Sequence, residues 1–350
     1  PIIARGVEKL REGDVKLTPG YDGEYGTISL FTRGELEDLR GEQSLFLWEP
    51  LDPPALTGTP ATSPAAPKGS NEKQKAKPRP EAFNRRQIEA VTAAAPTVAV
   101  IAGPGTGKTK TLVGRIAYLL EQRGVSPKEI TAVTFTNRAA AEMRERLAKR
   151  LGGKKYLQGM AIGTFHRICL DLLPKKPLIH GGERRDLLKE IGAELGIEAS
   201  PRQLADALSR HKNGMELSET MAWLPQLWER YQQRLEDMGC RDLDDLLLEG
   251  LAMDIRGLSQ FRHLLVDEFQ DINEIQHRLV QHWSESGELF VIGDPDQSIY
   301  GFRGADDQCF NRLVQNRPET KTISLEENYR STPQILQCAV EVITKNGGKP

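Results

Sequence analysis

At 350 residues the chain has room for two or three domains of the usual ~100–200 residues. Its 38% hydrophobic and 27% charged residues support a globular core in parts of the chain, and no run of ~18 apolar residues exists to cross a membrane as a helix. A net charge of −2 neither demands nor excludes nucleic acid, and four widely spaced cysteines without a CxxC or Cys/His cluster fit a reducing, cytoplasmic protein without structural zinc.

The chain opens Pro1-Ile2-Ile3-Ala4-Arg5, with neither the basic stretch nor the apolar run of a secretory signal and without an initiator Met. We expect it to be cut from a longer protein. Residues 1–50 read as a small separate piece. Gly20-Tyr21-Asp22-Gly23-Glu24-Tyr25-Gly26 is turn chemistry, and Thr27-Ile28-Ser29-Leu30-Phe31 alternates as a short strand does. The run from Glu8-Lys9-Leu10-Arg11 to Pro19–Gly26 resembles the C-terminal end of endonuclease Q-like, PHP-related nucleases. That resemblance implies a remnant of an upstream nuclease domain whose metal site would precede Pro1. A β-hairpin appendage of no special function fits the same residues.

Residues 51–80 read as a flexible linker: eight of the 21 prolines fall between residues 50 and 80, and periodicity is lost. Lys68, Lys73, Lys75, Lys77 and Arg79 make its end basic, as in a solvated tether. From Phe83 the texture changes. Val98–Ile101 is a buried-type strand, followed by a Gly-rich turn and a helix over 108–122. Ile130–Phe135 is a second strand, with a helix over about 139–151. His263–Val266, Leu289–Ile292 and Ile323–Leu325 are further short apolar strands. Strands alternating with helices predict an α/β fold with a parallel, helix-covered sheet. Between 173 and 239 the pattern is helical throughout, which predicts an all-helical insertion.

The turn Ala102-Gly103-Pro104-Gly105-Thr106-Gly107-Lys108-Thr109 follows a strand and opens a helix, the setting of a phosphate-binding P-loop. Backbone N–H groups would cradle phosphate oxygens, Lys108 would reach the β- and γ-phosphates, and the Thr109 hydroxyl would hold Mg²⁺. Val266-Asp267-Glu268 supplies the complement, with Asp267 toward Mg²⁺ and Glu268 orienting and deprotonating water. Gly293-Asp294-Pro295-Asp296-Gln297 follows the next strand at the edge where ligands of open parallel sheets bind; Gln297 there could sense a γ-phosphate or position water, and by itself the segment reads only as a turn.

With these residues in order, Phe83–Pro333 resembles the UvrD/Rep/PcrA-type superfamily 1 DNA helicases. Phe83–Gln87 is similar to their Q motif, Ala102–Thr109 to motif I, Thr134–Met143 to motif Ia and Gly163–His166 to motif Ib. Asp242–Leu247 is similar to the segment after their helical insertion. Val266–Asp271 is similar to motif II, Gly293–Ala305 to motif III and Leu325–Ser331 to motif IV.

The resemblance implies a RecA-like P-loop NTPase sheet that uses ATP and Mg²⁺. Gly103, Gly105, Thr106, Gly107, Lys108 and Thr109 would hold the phosphates. Gln87 would read the adenine edge with Asn84 supporting it, and Tyr329 would stack on adenine. Lys110 stands where relatives often carry Arg, which makes an adenine sandwich weaker because Lys lacks the planar guanidinium. Gln297 and Arg330 would approach the γ-phosphate. Phe135, Tyr300 and Phe302 would stack single-strand bases, and Thr136, Asn137, Thr164 and His166 would meet the backbone; stacking and phosphate contacts suit a motor indifferent to sequence. For Phe165, core and contact both fit. Lys212-Asn213 resembles a DNA-contacting spot, with a solvated pair as the plainer reading.

By this likeness, residues 81–172 and 240–325 form the first RecA-like domain, 173–239 the helical insertion, and 326–350 the start of a second RecA-like domain. The likeness further implies a 3′→5′ helicase or translocase of DNA repair acting on single-stranded DNA and DNA junctions. A chain ending shortly after Arg330 would lack motifs V and VI, and poor turnover is expected of it alone.

Overall fold

The computed structural model describes residues 16–18, 27–29, 83–215, 221–298 and 308–345. The chain divides into two units, Pro1–Glu81 and Ala82–Pro350. In the first, β1 (Lys16–Thr18) pairs antiparallel with β2 (Thr27–Ser29); Leu30 and Phe31 of the strand expected from Thr27 lie outside the described residues. The turn at 20–26 and the linker at 51–80 lie outside the described residues.

The second unit is built on six parallel strands among the described residues, in the order β5-β4-β6-β7-β3-β8. These are β3 (Thr97–Ala102), β4 (Ile130–Val133), β5 (Ala161–Gly163), β6 (His263–Val266), β7 (Glu288–Gly293) and β8 (Lys321–Leu325). The strands read as nearly continuous apolar runs because both faces are covered. Successive residues serve opposite faces: Val98 and Val100 join one core, while Ala99 joins the other.

On the first face lie α1 (Arg85–Thr92), α2 (Lys108–Glu121) and α3 (Asn137–Leu151), packing Ala90, Leu112, Ile116, Met143 and Leu147 against the sheet. On the second lie α4 (Phe165–Leu172) and three later helices. Those packed on the sheet are α8 (Leu243–Ala252), α9 (Glu274–Trp283) and α10 (Cys309–Asn316). Trp283 centres this core, its ring 4.9 Å from Phe261 and 5.8 Å from Phe165. Phe165 is therefore a core residue, which decides between its two sequence readings.

Between α4 and α8 the chain forms α5 (Gly181–Glu194), α6 (Pro201–Lys212) and α7 (Leu224–Asp237), which share a core of their own around Leu188, Ile191, Leu204, Leu208, Leu227 and Tyr231. The entering and leaving segments pair at the base of this insertion. The Ile179 N–H donates to the Arg241 carbonyl (2.9 Å), and the Arg241 N–H donates to the Pro177 carbonyl (3.0 Å).

An ionic cluster sits beside that base. Lys212, at 3% exposure, donates from Nζ to Asp242 Oδ2 (2.9 Å) and Asp245 Oδ1 (2.7 Å). Asn213 donates to Asp244 (2.7 Å) and accepts from Asn273 Nδ2 (3.0 Å), the N-cap of α9. Both sequence readings of Lys212-Asn213 are thus corrected: burial keeps Lys212 from DNA and from water, and its charge joins the insertion to α8. Burial alone would raise the Asp242 carboxyl, but the charges of Lys212 and Arg184 hold it below its ordinary value.

Removing one partner of a buried ion pair costs about 3–5 kcal/mol, because it strands the other charge. We expect Lys212→Met to lower stability by about that amount, read as a fall in the urea midpoint of the 350-residue chain.

Candidate active site

Strands β3, β6, β7 and β8 are parallel, so their C-terminal ends open on one edge, and the candidate residues lie in the loops that follow them. After β3 the chain turns through Gly103–Gly107 into α2, whose first residue is Lys108. Thr106 Oγ1 donates to the Gly103 carbonyl (2.7 Å), closing the turn. Gly107 has φ +86°, and a Cβ there would lie 2.8 Å from Gln87 Nε2. The loop therefore needs glycine for both backbone and space. It leads into the positive end of α2, where N–H groups favour an anion.

After β6, the Asp267 N–H donates to the Val133 carbonyl (2.9 Å), and Asp267 Oδ1 accepts from the Glu268 N–H (3.1 Å). Asp267 is 8% exposed; burial first, then the neighbouring Glu268 charge, push its carboxyl up to about 7, against the pull of Lys108. Glu268 is left-handed, with φ 47° and ψ 48°, the one non-glycine of positive φ among the described residues. Such a conformation costs roughly 1–2 kcal/mol. Its carboxylate Oε2 lies 3.5 Å from Lys108 Nζ, so the Gly-rich turn and the acid pair face each other.

Strand β7 runs between β3 and β6, and its loop enters the same space. Asp294 Oδ2 accepts from Gln297 Nε2 (2.6 Å), which fixes the amide of Gln297. After β8 the chain crosses back over the Gly-rich turn. The Tyr329 N–H donates to the Gly105 carbonyl (2.9 Å), and Asn328 Nδ2 donates to the Pro104 carbonyl. Asn328 Oδ1 accepts from the N–H groups of Arg330 (2.9 Å) and Ser331 (2.8 Å). Arg330 is thereby held above the turn. The exposed Tyr329 ring stands next to α1, its hydroxyl accepting from Asn84 Nδ2 (2.8 Å) and donating to Glu327 Oε2 (2.6 Å).

The donor set suits a hard dication. Asp267 is a buried carboxylate crowded by a second acid, a condition a cation relieves, and the Thr109 hydroxyl lies one residue beyond Lys108 on α2. Among the described residues no group of three or more His, Cys, Asp or Glu could hold a metal ion. A site of one carboxylate, one hydroxyl and substrate phosphates is the arrangement Mg²⁺ prefers over an all-protein cage.

A second set of loops follows β4 and β5 on the same edge. Thr136 caps α3, accepting from the Ala139 N–H (3.1 Å), and Thr164 caps α4, accepting from the Arg167 N–H (3.3 Å). The Thr134 N–H donates to the Gly163 carbonyl (2.9 Å), tying the two loops together. Phe135 is half-buried, Asn137 exposed and His166 half-buried. Two helix N-termini and an aromatic thus share one ledge.

The family model for the UvrD/REP helicase N-terminal domain matches residues 83–318. The chain belongs to the UvrD/REP helicase family. It is 37% identical over 311 residues to ATP-dependent DNA helicase UvrD1 of Mycobacterium tuberculosis, covering 77% of this chain and 40% of that protein. It is 35% identical over 294 residues to ATP-dependent DNA helicase PcrA of Staphylococcus aureus, covering 75% of this chain and 40% of that protein. The chain thus spans about 40% of the length of these relatives. Among solved structures, Pif1 helicase from Candida albicans is similar at 12% identity and a TM-score of 0.36, over 75% of this chain and 44% of that one. The family match begins at residue 83.

Within this UvrD/REP framework most predicted site residues meet at one edge. Tyr300 and Phe302 lie outside the described residues. Gln87 is 1% exposed, and both ends of its amide are engaged. Oε1 accepts from the Asn84 N–H (3.1 Å) and Nε2 donates to the Thr106 carbonyl (2.9 Å), so in this state Gln87 braces the phosphate turn. Lys110 Nζ lies 5.3 Å from the centroid of the Phe83 ring. Three residues without an assigned role in the sequence reading prove central: Gln270, Asp294 and Asn328. An uncharged Gln set among the acids Asp267, Glu268 and Asp271 was the available signal for the first.

Gly107→Ala and Gly124→Ala separate strain from space. Both sites have positive φ, but nothing lies within 4 Å of a Cβ at Gly124. We expect Gly124→Ala to cost about 1–2 kcal/mol in thermal unfolding, and Gly107→Ala to cost more and alone to abolish binding of a fluorescent ATP analogue.

Proposed function

We propose that the chain forms the first RecA-like motor domain of an ATP-dependent DNA helicase or translocase. The observation that carries this is Lys108 Nζ 3.5 Å from Glu268 Oε2, with the ledge of Phe135, Thr136, Asn137, Thr164 and His166 on the same sheet edge. The names of the relatives, ATP-dependent DNA helicases, support the same reading.

An incoming triphosphate would take Lys108 from Glu268, since several phosphate oxygens at a helix N-terminus outbid one half-exposed carboxylate. Glu268 is then left as an uncompensated base. Water attacks the γ-phosphorus in line, Glu268 takes the water's proton, and the bond to the bridging oxygen breaks to release ADP. Thr109 and Asp267 would hold Mg²⁺, which supplies charge neutralisation on the phosphates when bound. Gln297 and Arg330 line the position of the γ-phosphate, Tyr329 offers its face to adenine, and Gln87 reports the base to the turn through Thr106.

Single-stranded DNA, including that at DNA junctions, would cross the ledge. Phe135, with Tyr300 and Phe302, would stack bases at roughly 1–3 kcal/mol each, and the helix N-termini would meet phosphates. The reading extends to 3′→5′ movement in DNA repair in the cytoplasm. Residues 173–239 would be an accessory helical domain and 326–350 the start of a second RecA-like domain. No helix among the described residues is long and apolar enough to cross a membrane.

Nucleotide binding and hydrolysis with and without single-stranded DNA test this. Lys108→Ala should weaken binding of an ATP analogue on the order of 10–100-fold, the loss of a charge-assisted contact of about 1.5–3 kcal/mol. Glu268→Gln should keep binding and slow DNA-stimulated turnover by on the order of 10²–10⁴-fold. If DNA changes neither affinity nor turnover, the DNA motor is ruled out; if turnover survives Glu268→Gln, the site is a switch rather than an engine.

A further inference from the structure

Gln270 occupies a place that the reaction scheme above leaves unexplained. It lies in the short 3₁₀ turn Phe269–Asp271 after the acid pair and is 1% exposed. Its Nε2 donates to Glu268 Oε2 (3.0 Å) and to Asp271 Oδ2 (3.3 Å). Its Oε1 accepts from the Asp294 N–H (2.9 Å), and its carbonyl accepts from Ser298 Oγ (3.2 Å). The partners fix the amide's orientation without ambiguity: two carboxylates require a donor, and a backbone N–H requires an acceptor.

The next link is already in place, since the carboxylate of Asp294 holds the amide of Gln297 at 2.6 Å. Glu268, Gln270, Asp294 and Gln297 therefore form one unbroken polar chain from the candidate base to the candidate γ-phosphate sensor. Lys108 Nζ and Gln270 Nε2 both hold the same oxygen of Glu268, Oε2. When phosphate draws Lys108 away, Gln270 is the group that keeps that oxygen in place and leaves Oε1 to take a proton.

Glycine at 293 corroborates the fit from the other side. A Cβ there would overlap Gln270 Oε1 and lie 3.0 Å from the Phe269 backbone nitrogen. The strand end has been kept bare where the amide passes. Neither Glu nor Leu could stand in for Gln270: a carboxylate would repel Glu268 and Asp271, and an alkyl group would strand the Asp294 N–H.

We infer that Gln270 is a positioning residue that couples the aim of Glu268 to the γ-phosphate sensor Gln297, so that base and sensor are set together by one buried amide. This rests on the proposed ATP site. The coupling matters only when the transferring phosphoryl group is present, so it favours the transition state over bound product.

The test compares affinities for ADP with affinities for ADP plus aluminium fluoride and Mg²⁺, a mimic of the transferring phosphoryl group, in the 350-residue chain. Gln270→Leu should weaken the mimic by about tenfold or more while ADP stays within about twofold. Gly293→Ala keeps the amide but displaces it, and should give the same split if the leucine variant folds poorly. Gln297→Ala combined with Gln270→Leu should be no worse than the more severe single change, because both break one chain. Three results overturn the inference: a mimic affinity unchanged in both variants, ADP and mimic weakened alike, or fully additive losses. A wild-type chain that binds ADP no better than Lys108→Ala does would instead overturn the ATP site itself and the inference with it.

Discussion

The candidate site depends on the attraction of one ammonium for one carboxylate across a sheet edge. Lys108 and Glu268 are 160 positions apart in the chain, yet their side chains lie within 3.5 Å of each other. Parallel strands make this possible, since every C-terminal end opens the same way. The two residues follow β3 and β6, which are not neighbours; β7 lies between them. That order places the loop of Asp294 and Gln297 in the middle of the pair, where a group bound to both would have to be sensed. The left-handed backbone of Glu268 completes the arrangement by turning its carboxylate back toward Lys108.

Local crowding then restricts the Gly-rich turn and the acid pair. The Gly-rich turn is pressed by Gln87 from below and by Asn328 and Arg330 from above, so that a Cβ on Gly105 would lie 2.6 Å from the Asn328 amide nitrogen. A loop held on both sides presents its N–H groups in a fixed array, which is what electrostatic preorganisation requires. The acid pair is held equally firmly, by the Val133 carbonyl through the Asp267 N–H and by the amide of Gln270.

Much of this was legible in the sequence because strands, turn glycines and acids follow local rules. The alternation of Val98, Ala99 and Val100 onto two faces, the Lys-Thr at a helix start and the acids at a strand end are each set within a few residues. Helix and strand limits differed from expectation by a few residues, as at Thr134-Phe135, where the chain leaves β4 to cap α3. Long-range polar bonding was not legible. Nothing local distinguishes Lys212 from a surface lysine, and only the fold brings Asp242 and Asp245 to it. Gln87 has the same lesson: its bond to the Thr106 carbonyl depends on how α1 meets the turn.

The paired entry and exit of the helical insertion have an architectural consequence. Because the Ile179 and Arg241 backbones clasp each other, the two ends of the excursion sit side by side whatever lies between them. The excursion has its own apolar centre, distinct from the sheet's two cores. A segment so built is a plug-in module: its length and outer surface are free to diverge while the engine beneath keeps its shape, provided the lysine at the socket is retained.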